Sequence, residues 1–560
     1  MKRRYDVVVI GSGFGGSITA CRLAQAGRRV CVLERGRRWS NVDFPRSPSQ
    51  IAHNAFWDPE HGRFGLLDYR VFSRMHVIQG CGVGGGSLHY FNVHLSPPAA
   101  IFKDPRWPAE IDLDTLGPYY GLAADMLDAE PLCPPSGRRL PTRTTAFLEA
   151  CAGTKRRGEL VPLAVYTGPG RRNSHGGVRQ QPCDYSGDCM IGCATHAKNT
   201  LDLNYLALAE QHGAEVYPLH QASEIAPAKR GAGYRVSYAR HVEGVAAEIT
   251  AGEVRADTVI VAAGTLGTAE LLLRCRDRLN TLPDLSPALG LGFSGNGDLL
   301  LAGTLTDMDI DAGPGPSITA GADFASASQQ MYVEDLGLPG PLFWFLEGML
   351  ADAAGARDAF RLLKLLVQGE LRVPGATRRV ARERERLFGG GRTRGFLPYL
   401  GMCEDAADGT FALEPSGALD LQWNPATSAE RFQELEETLR ELSRALDGEY
   451  VPSPLSFAGD LLTAHPLGGC RMAANPSDGV VDHRCEVHGY PGLFVVDGSV
   501  VPTALSRNPT ATISALAERA AYLMIHGREL LAADSARPSN QFAPPVAAER
   551  ESEQLLAEGA

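Results

Sequence analysis

The stretch Tyr5-Asp6-Val7-Val8-Val9-Ile10-Gly11-Ser12-Gly13-Phe14-Gly15-Gly16 decides the fold. Its apolar run to Ile10 reads as a buried strand. Residues Ser17 to Ala26 then carry apolar side chains at helical spacing, and Arg29 to Leu33 reads as a second strand. Between strand and helix stands a G-x-G-x-x-G turn. Gly11 suits the tight turn, Gly13 lets a pyrophosphate approach the backbone, and Gly15 and Gly16 let helix and strand pack closely. The amides of Phe14 and its neighbours at the helix start face that phosphate. Glu34 ends the second strand about 20 residues on, where a carboxylate accepts the ribose hydroxyls of a dinucleotide. The pattern does not separate NAD from FAD.

Further along, Gly80-Cys81-Gly82-Val83-Gly84-Gly85-Gly86-Ser87 reads as backbone pressed against a ligand. A helix is predicted from Lys198 to Gln211, with strands around Glu215 to Tyr217 and Tyr234 to Tyr238. The strand Thr258 to Ala263 enters Gly264-Thr265-Leu266-Gly267 and a helix through Arg274, a second strand-to-helix turn. Residues 300 to 450 carry strand-like stretches at Met331-Tyr332-Val333 and Leu342 to Leu346. A basic helical insertion follows at 354–387, and an amphipathic helix from Ser428 to Leu446. No repeat period is visible, and residues 531–560 read as a disordered tail.

At 560 residues the chain is too long for one compact core. A net charge of -11 argues against a nucleic-acid surface and leaves small molecules as the expected partners. Arg3-Arg4 resembles a twin-arginine signal, but the apolar run after it is short and ends in the glycines the fold needs. Cytoplasmic residence is expected, and no stretch reaches the roughly 20 apolar residues of a membrane span. The 12 cysteines are mostly scattered, as buried thiols in a reducing compartment would be, apart from Cys183, Cys189 and Cys193.

Three C-terminal stretches carry a resemblance: His465-Pro466-Leu467-Gly468-Gly469-Cys470, Gly489 to Ser499 with Asp497-Gly498-Ser499, and Asn508-Pro509-Thr510 to Arg519. Together with the first glycine turn and Gly84-Gly85-Gly86-Ser87, the chain resembles the glucose, methanol and choline (GMC) oxidoreductases over residues 5 to 525. Within them it is most similar to the cholesterol oxidase branch. The resemblance implies FAD. It also implies an α/β fold: a discontinuous Rossmann-like FAD-binding domain (1–100, 190–300, 455–530) and an α+β substrate-binding domain with a mostly antiparallel sheet (101–189, 301–454). Asp497-Gly498 would approach the diphosphate or ribityl chain. The helix opened by Asn508-Pro509-Thr510 would direct amides at the flavin pyrimidine ring, where negative charge develops on reduction.

By the same resemblance His465 and Asn508 fall at catalytic positions, where a base meets the substrate hydroxyl as hydride leaves. Glu334 falls where the cholesterol oxidases carry a glutamate that moves a proton during double-bond isomerisation; a solvated strand-end carboxylate is the alternative. His89 falls where some relatives bond the flavin methyl group to a histidine, while many others bind FAD without a link. Cys183, Cys189 and Cys193 are candidate iron–sulfur ligands, candidate zinc ligands completed by His196 or Cys151, or packed thiols. The favoured substrate is a hydrophobic alcohol, a 3-hydroxysteroid above others, with oxygen or another redox acceptor taking the electrons. The alternatives are a sugar, polyol or long-chain alcohol dehydrogenase relaying electrons through the cysteines, and a flavin-bound redox sensor. The 354–387 insertion would either lie on a membrane surface or pack as an ordinary surface helix.

Overall fold

Strand Arg4–Ile10 lies between two parallel neighbours, Val30–Leu33 and Ile249–Val261, so Tyr5 and Val7 to Ile10 are all buried. A strand covered on both faces reads as a continuous apolar run, which is the pattern seen here. The computed structural model describes residues 1–530 except 135–136, 169–170, 173–177, 230, 247–248 and 343–393.

Within them, the first sheet runs Glu215–Tyr217, Val30–Leu33, Arg4–Ile10, Ile249–Val261, Tyr234–His241, His220–Pro227, and Leu493–Val495 pairs with Ile249–Val261 as well. Ile249–Val261 serves two ladders. Its first half pairs antiparallel with Tyr234–His241; its second half pairs parallel with Arg4–Ile10 and Leu493–Val495. The sheet is therefore mixed. Helix Phe14–Gln25 packs against helix Thr510–His526, and at Gly15 a Cβ would stand 1.6 Å from the Val496 carbonyl oxygen, so only glycine permits this approach. A buried ion pair joins the two helices: Arg22 donates to both carboxylate oxygens of Glu518, at 2.8 and 2.7 Å, and Tyr205 Oη donates to Glu518 at 2.7 Å.

The second sheet runs Glu449–Val451, Leu299–Leu305, Phe396–Cys403, Met331–Asp335, Ala320–Asp323, Gly158–Leu160, with every neighbouring pair antiparallel. Alternation along the strands divides its faces. Leu397, Tyr399, Met331 and Val333 pack with Leu435, Leu439 and Leu442 of helix Ala429–Ala445, while Leu400, Met402 and Tyr332 turn the other way, towards Leu336 and Leu338. Glu334 alternates with Val333 and Asp335 and so shares the second face. A bulge breaks the alternation in Leu299–Leu305, where Leu301 takes a positive φ of 66° and the register shifts, presenting both Leu300 and Leu301 to that face.

Two sequence expectations are corrected. The helix expected from Lys198 to Gln211 is shorter: a tight turn at Leu201–Leu203 precedes helix Tyr205–Gln211, because Lys198 and Asn199 are drawn inward by buried hydrogen bonds. Leu342, expected in a strand, is helical, its amide bonded to Pro339 O, and residues 343–346 lie outside the described residues. The insertion at 354–387 and the tail at 531–560 also lie outside them. Among the described residues no helix is long and apolar enough to cross a membrane.

Candidate active site

A cavity of about 400 Å³ runs from the ends of the first sheet's parallel strands to the inner face of the second sheet. Gly11, Gly13, Phe14, Gly15 and Glu34 line one end, and Gly264, Asp497 and Gly498 the middle. His465, Asn508, Leu300 and Leu336 line the other.

At the first end the glycines have different reasons. A Cβ on Gly11 would meet Ala262 O at 2.2 Å and one on Gly16 would meet Gly11 O at 2.1 Å, so both permit backbone packing. Around Gly13 nothing lies within 4 Å of such a carbon; the space beside the helix start is open, as a bound diphosphate requires. Glu34 is buried, and burial raises its pKa; Oε2 accepts from Ser12 N and Oγ at 3.1 and 2.7 Å, and Oε1 from Gly36 N at 2.8 Å. Asp497 is also engaged by protein donors. Its Oδ2 accepts from Gly264 N and Thr268 Oγ1 at 3.0 and 2.6 Å, and its Oδ1 from Ser499 N and Oγ. The carboxylate therefore sets the Gly264 turn, and Gly498 brings backbone to the cavity.

The Gly84-Gly85-Gly86-Ser87 loop packs on the first glycine turn. Gly84 and Gly85 take positive φ of 107° and 52°, and a Cβ on Gly85 would stand 2.5 Å from Gly13 Cα. Ser87 closes the loop by donating to Gly84 O at 2.7 Å and accepting from Leu201 N at 3.0 Å. His89 lines the cavity beyond Gly86, and burial, with the nearby Lys198 charge, lowers its pKa to about 3, so the ring is neutral. Lys198 is wholly buried. Its ammonium donates to Leu88 O, Tyr90 O and Cys189 O at 2.9, 3.0 and 2.7 Å, stapling this loop to the Asp188–Ile191 turn.

At the far end three segments meet. Asn508 donates from Nδ2 to Glu334 Oε2 at 3.2 Å, while Glu334 Oε1 and Asn508 Oδ1 are buried without a hydrogen-bond partner. Two unpartnered polar atoms on paired side chains, with Asn508 lining the cavity, are expensive unless a ligand engages them. Glu334 is fully buried, and burial raises its pKa to about 8. His465 lines the same cavity as Asn508, its Nδ1 2.9 Å from Asp298 Oδ1. Pro509 and Thr510 open helix Thr510–His526 at the same wall, and Thr510 Oγ1 donates to Val93 O at 2.9 Å.

Asp298 was missed by sequence reading, although the Gly295-Asn296-Gly297-Asp298 run was a visible turn signal. Leu300, Leu301, Leu336, Leu338 and Leu462, which line the far end, were missed as well. The cysteine triplet lies outside this cavity. Asn92 Nδ2 donates to Cys189 Sγ at 3.3 Å and Cys193 Sγ pairs with Thr195 Oγ1 at 3.3 Å. Among the described residues no group of three or more Cys, His, Asp or Glu stands at metal-holding separation.

Two family models described as GMC oxidoreductase match the chain, the N-terminal one over residues 5–275 and the C-terminal one over 410–517. A cholesterol oxidase of Mycobacterium tuberculosis (strain CDC 1551 / Oshkosh) is 32% identical, covering 93% of this chain and 91% of the relative. A cholesterol oxidase of Acinetobacter baumannii is 29% identical, covering 92% and 93%. Among solved structures, an FAD-dependent oxidoreductase from Chaetomium thermophilum aligns with a TM-score of 0.60 at 18% identity, over 94% of this chain and 100% of the other, a likeness of fold.

Proposed function

The chain belongs to the GMC oxidoreductase family, FAD-dependent enzymes acting on CH–OH groups, and from that premise we propose that it oxidises the hydroxyl of a bulky hydrophobic alcohol, a 3-hydroxysteroid above others, to the carbonyl. One observation carries the reading. The wall around His465 and Asn508 is built of Leu300, Leu301, Leu336, Leu338 and Leu462, which suit a rigid apolar body with a single polar end, and Glu334 pairs with Asn508. The names of the two bacterial relatives agree with it. The first sheet, from residues 1–100, 190–300 and 455–530, is the FAD-binding domain in this reading, and 101–189 with 301–454 bind the substrate. The 12 free cysteines suit a reducing, cytoplasmic setting.

The bound flavin supplies the hydride acceptor. The open space beside Gly13 and the start of helix Phe14–Gln25 would hold its diphosphate, and amides in the first turn of helix Thr510–His526 would stabilise the negative charge that reduction places on it. His465 takes the hydroxyl proton as the hydride leaves the carbinol carbon. Asn508 orients the substrate oxygen. The leucine wall excludes water, which keeps the Glu334 carboxyl protonated near neutral pH and lets its ionised fraction move a proton between ring carbons when a β,γ-unsaturated ketone is formed. His89 lines the cavity with a neutral ring, so a covalent flavin link, if formed, would use one of its ring nitrogens.

Anaerobic mixing with a sterol, a long-chain alcohol and a sugar, followed by admission of oxygen, tests the reading. Cholesterol should bleach the flavin fastest; bleaching by the sugar alone overturns it. Acid precipitation that leaves all yellow colour in the supernatant removes the covalent link at His89.

A further inference from the structure

We propose that Asp298 is the positioning residue of the base, holding His465 as the tautomer whose Nε2 is free to accept the substrate proton. The proposal rests on the reading of His465 as base. Asp298 has a side chain fully closed from solvent, and that of His465 is 13% exposed, in a ring lining the cavity. Asp298 Oδ2 accepts from Thr463 Oγ1 at 2.9 Å and from Ala464 N at 3.1 Å, and Oδ1 meets His465 Nδ1 at 2.9 Å. A carboxylate has no hydrogen to give, so Nδ1 carries the ring hydrogen and Nε2 keeps its lone pair.

The turn that delivers Asp298 is rigid and shared. Asn296 and Gly297 take positive φ of 59° and 62°, and a Cβ on Gly297 would stand 2.1 Å from Cys403 O. Buried Asp405 accepts from Ser294 Oγ, Gly295 N and Gly297 N. Asn296 donates to Arg507 O at 2.9 Å and accepts from Leu505 N and Ser506 N at 2.8 and 3.2 Å, fixing the segment that ends in Asn508. One turn thus orients His465 directly and Asn508 through its backbone.

The test is Asp298→Asn in the flavin-loaded enzyme. The Ala464 amide is a fixed donor, so the carboxamide oxygen must face it and the NH2 must face His465 Nδ1, moving the ring hydrogen to Nε2. The limiting rate of flavin reduction by cholesterol should fall by about tenfold to a thousandfold, with flavin content and cholesterol Kd unchanged. The isotope-labelled ring of His465 should change from an Nδ1–H to an Nε2–H signature. A rate within about twofold of the parent, where His465→Asn abolishes reduction, overturns the role of Asp298 and leaves the base intact. If no alcohol reduces the parent flavin the base reading fails instead, and an unchanged ring signature in Asp298→Asn still overturns the tautomer assignment.

Discussion

The two ends of the cavity satisfy their polar groups in opposite ways. At the nucleotide end both carboxylate oxygens of Glu34 and of Asp497 are held by protein donors, each residue accepting from neighbours close in sequence as well as distant ones. At the catalytic end Glu334 Oε1 and Asn508 Oδ1 are buried with nothing to bond. The polar groups of the first end are held in place before a ligand arrives. The second is left incomplete, and in the proposed function the reacting molecule would supply the missing partner, leaving its groups available for chemistry.

Substitutions at one end should therefore leave the other's property untouched. The largest effect is expected from His465→Ala: flavin content equal to the parent, with substrate-driven reduction slower by about a hundredfold to ten-thousandfold in stopped-flow traces. Equal loss of flavin would break the contrast. Arg22→Met, which leaves the buried Glu518 carboxylate without its counter-charge and with only Tyr205 donating to it, crosses between the ends because the ion pair ties the nucleotide helix to the helix behind Asn508. It should lower stability to urea by about 3–5 kcal/mol.

Glu334→Gln should slow double-bond isomerisation by about a hundredfold while oxidation continues. It also has a signature in stability. The folded carboxyl titrates at about 8 against an ordinary 4.5, so between those values the unfolded chain has released a proton the folded chain keeps, and stability falls as pH rises. Glutamine removes that slope. The variant should match the parent near pH 4.5 and exceed it by on the order of a few kcal/mol above pH 8, read as a widening gap in melting temperature. The smallest effect is Gly13→Ala, whose added carbon meets no protein atom but enters the open space beside the helix start. Folding should persist while FAD affinity, measured by reconstitution of the apoprotein, drops by about tenfold to a hundredfold.

The contrast also explains what sequence reading reached. The Gly11 to Gly16 turn and the strand before it are local, so their conformation and burial follow from spacing within a dozen residues. His465 and Asn508, which line one cavity, were singled out through the stretches that flank them. Asp298 was not, because its role exists only where the Gly295–Asp298 turn meets Thr463 and Ala464, some 165 residues later. The pKa of Glu334 was equally hidden: its burial comes from strand pairing and the leucines opposite, and the bulge at Leu301 that completes that wall has no periodic signal.

The close approach of Gly15 to Val496, with Arg22 against Glu518, has a consequence for how the protein is made. The glycine turn leaves the ribosome hundreds of residues before the backbone and carboxylate that seat its helix, Arg22 and Glu518 being 496 residues apart. A nascent chain therefore carries an unfinished nucleotide cleft until that later segment emerges, and secure cofactor capture waits for helix Thr510–His526 to dock on helix Phe14–Gln25.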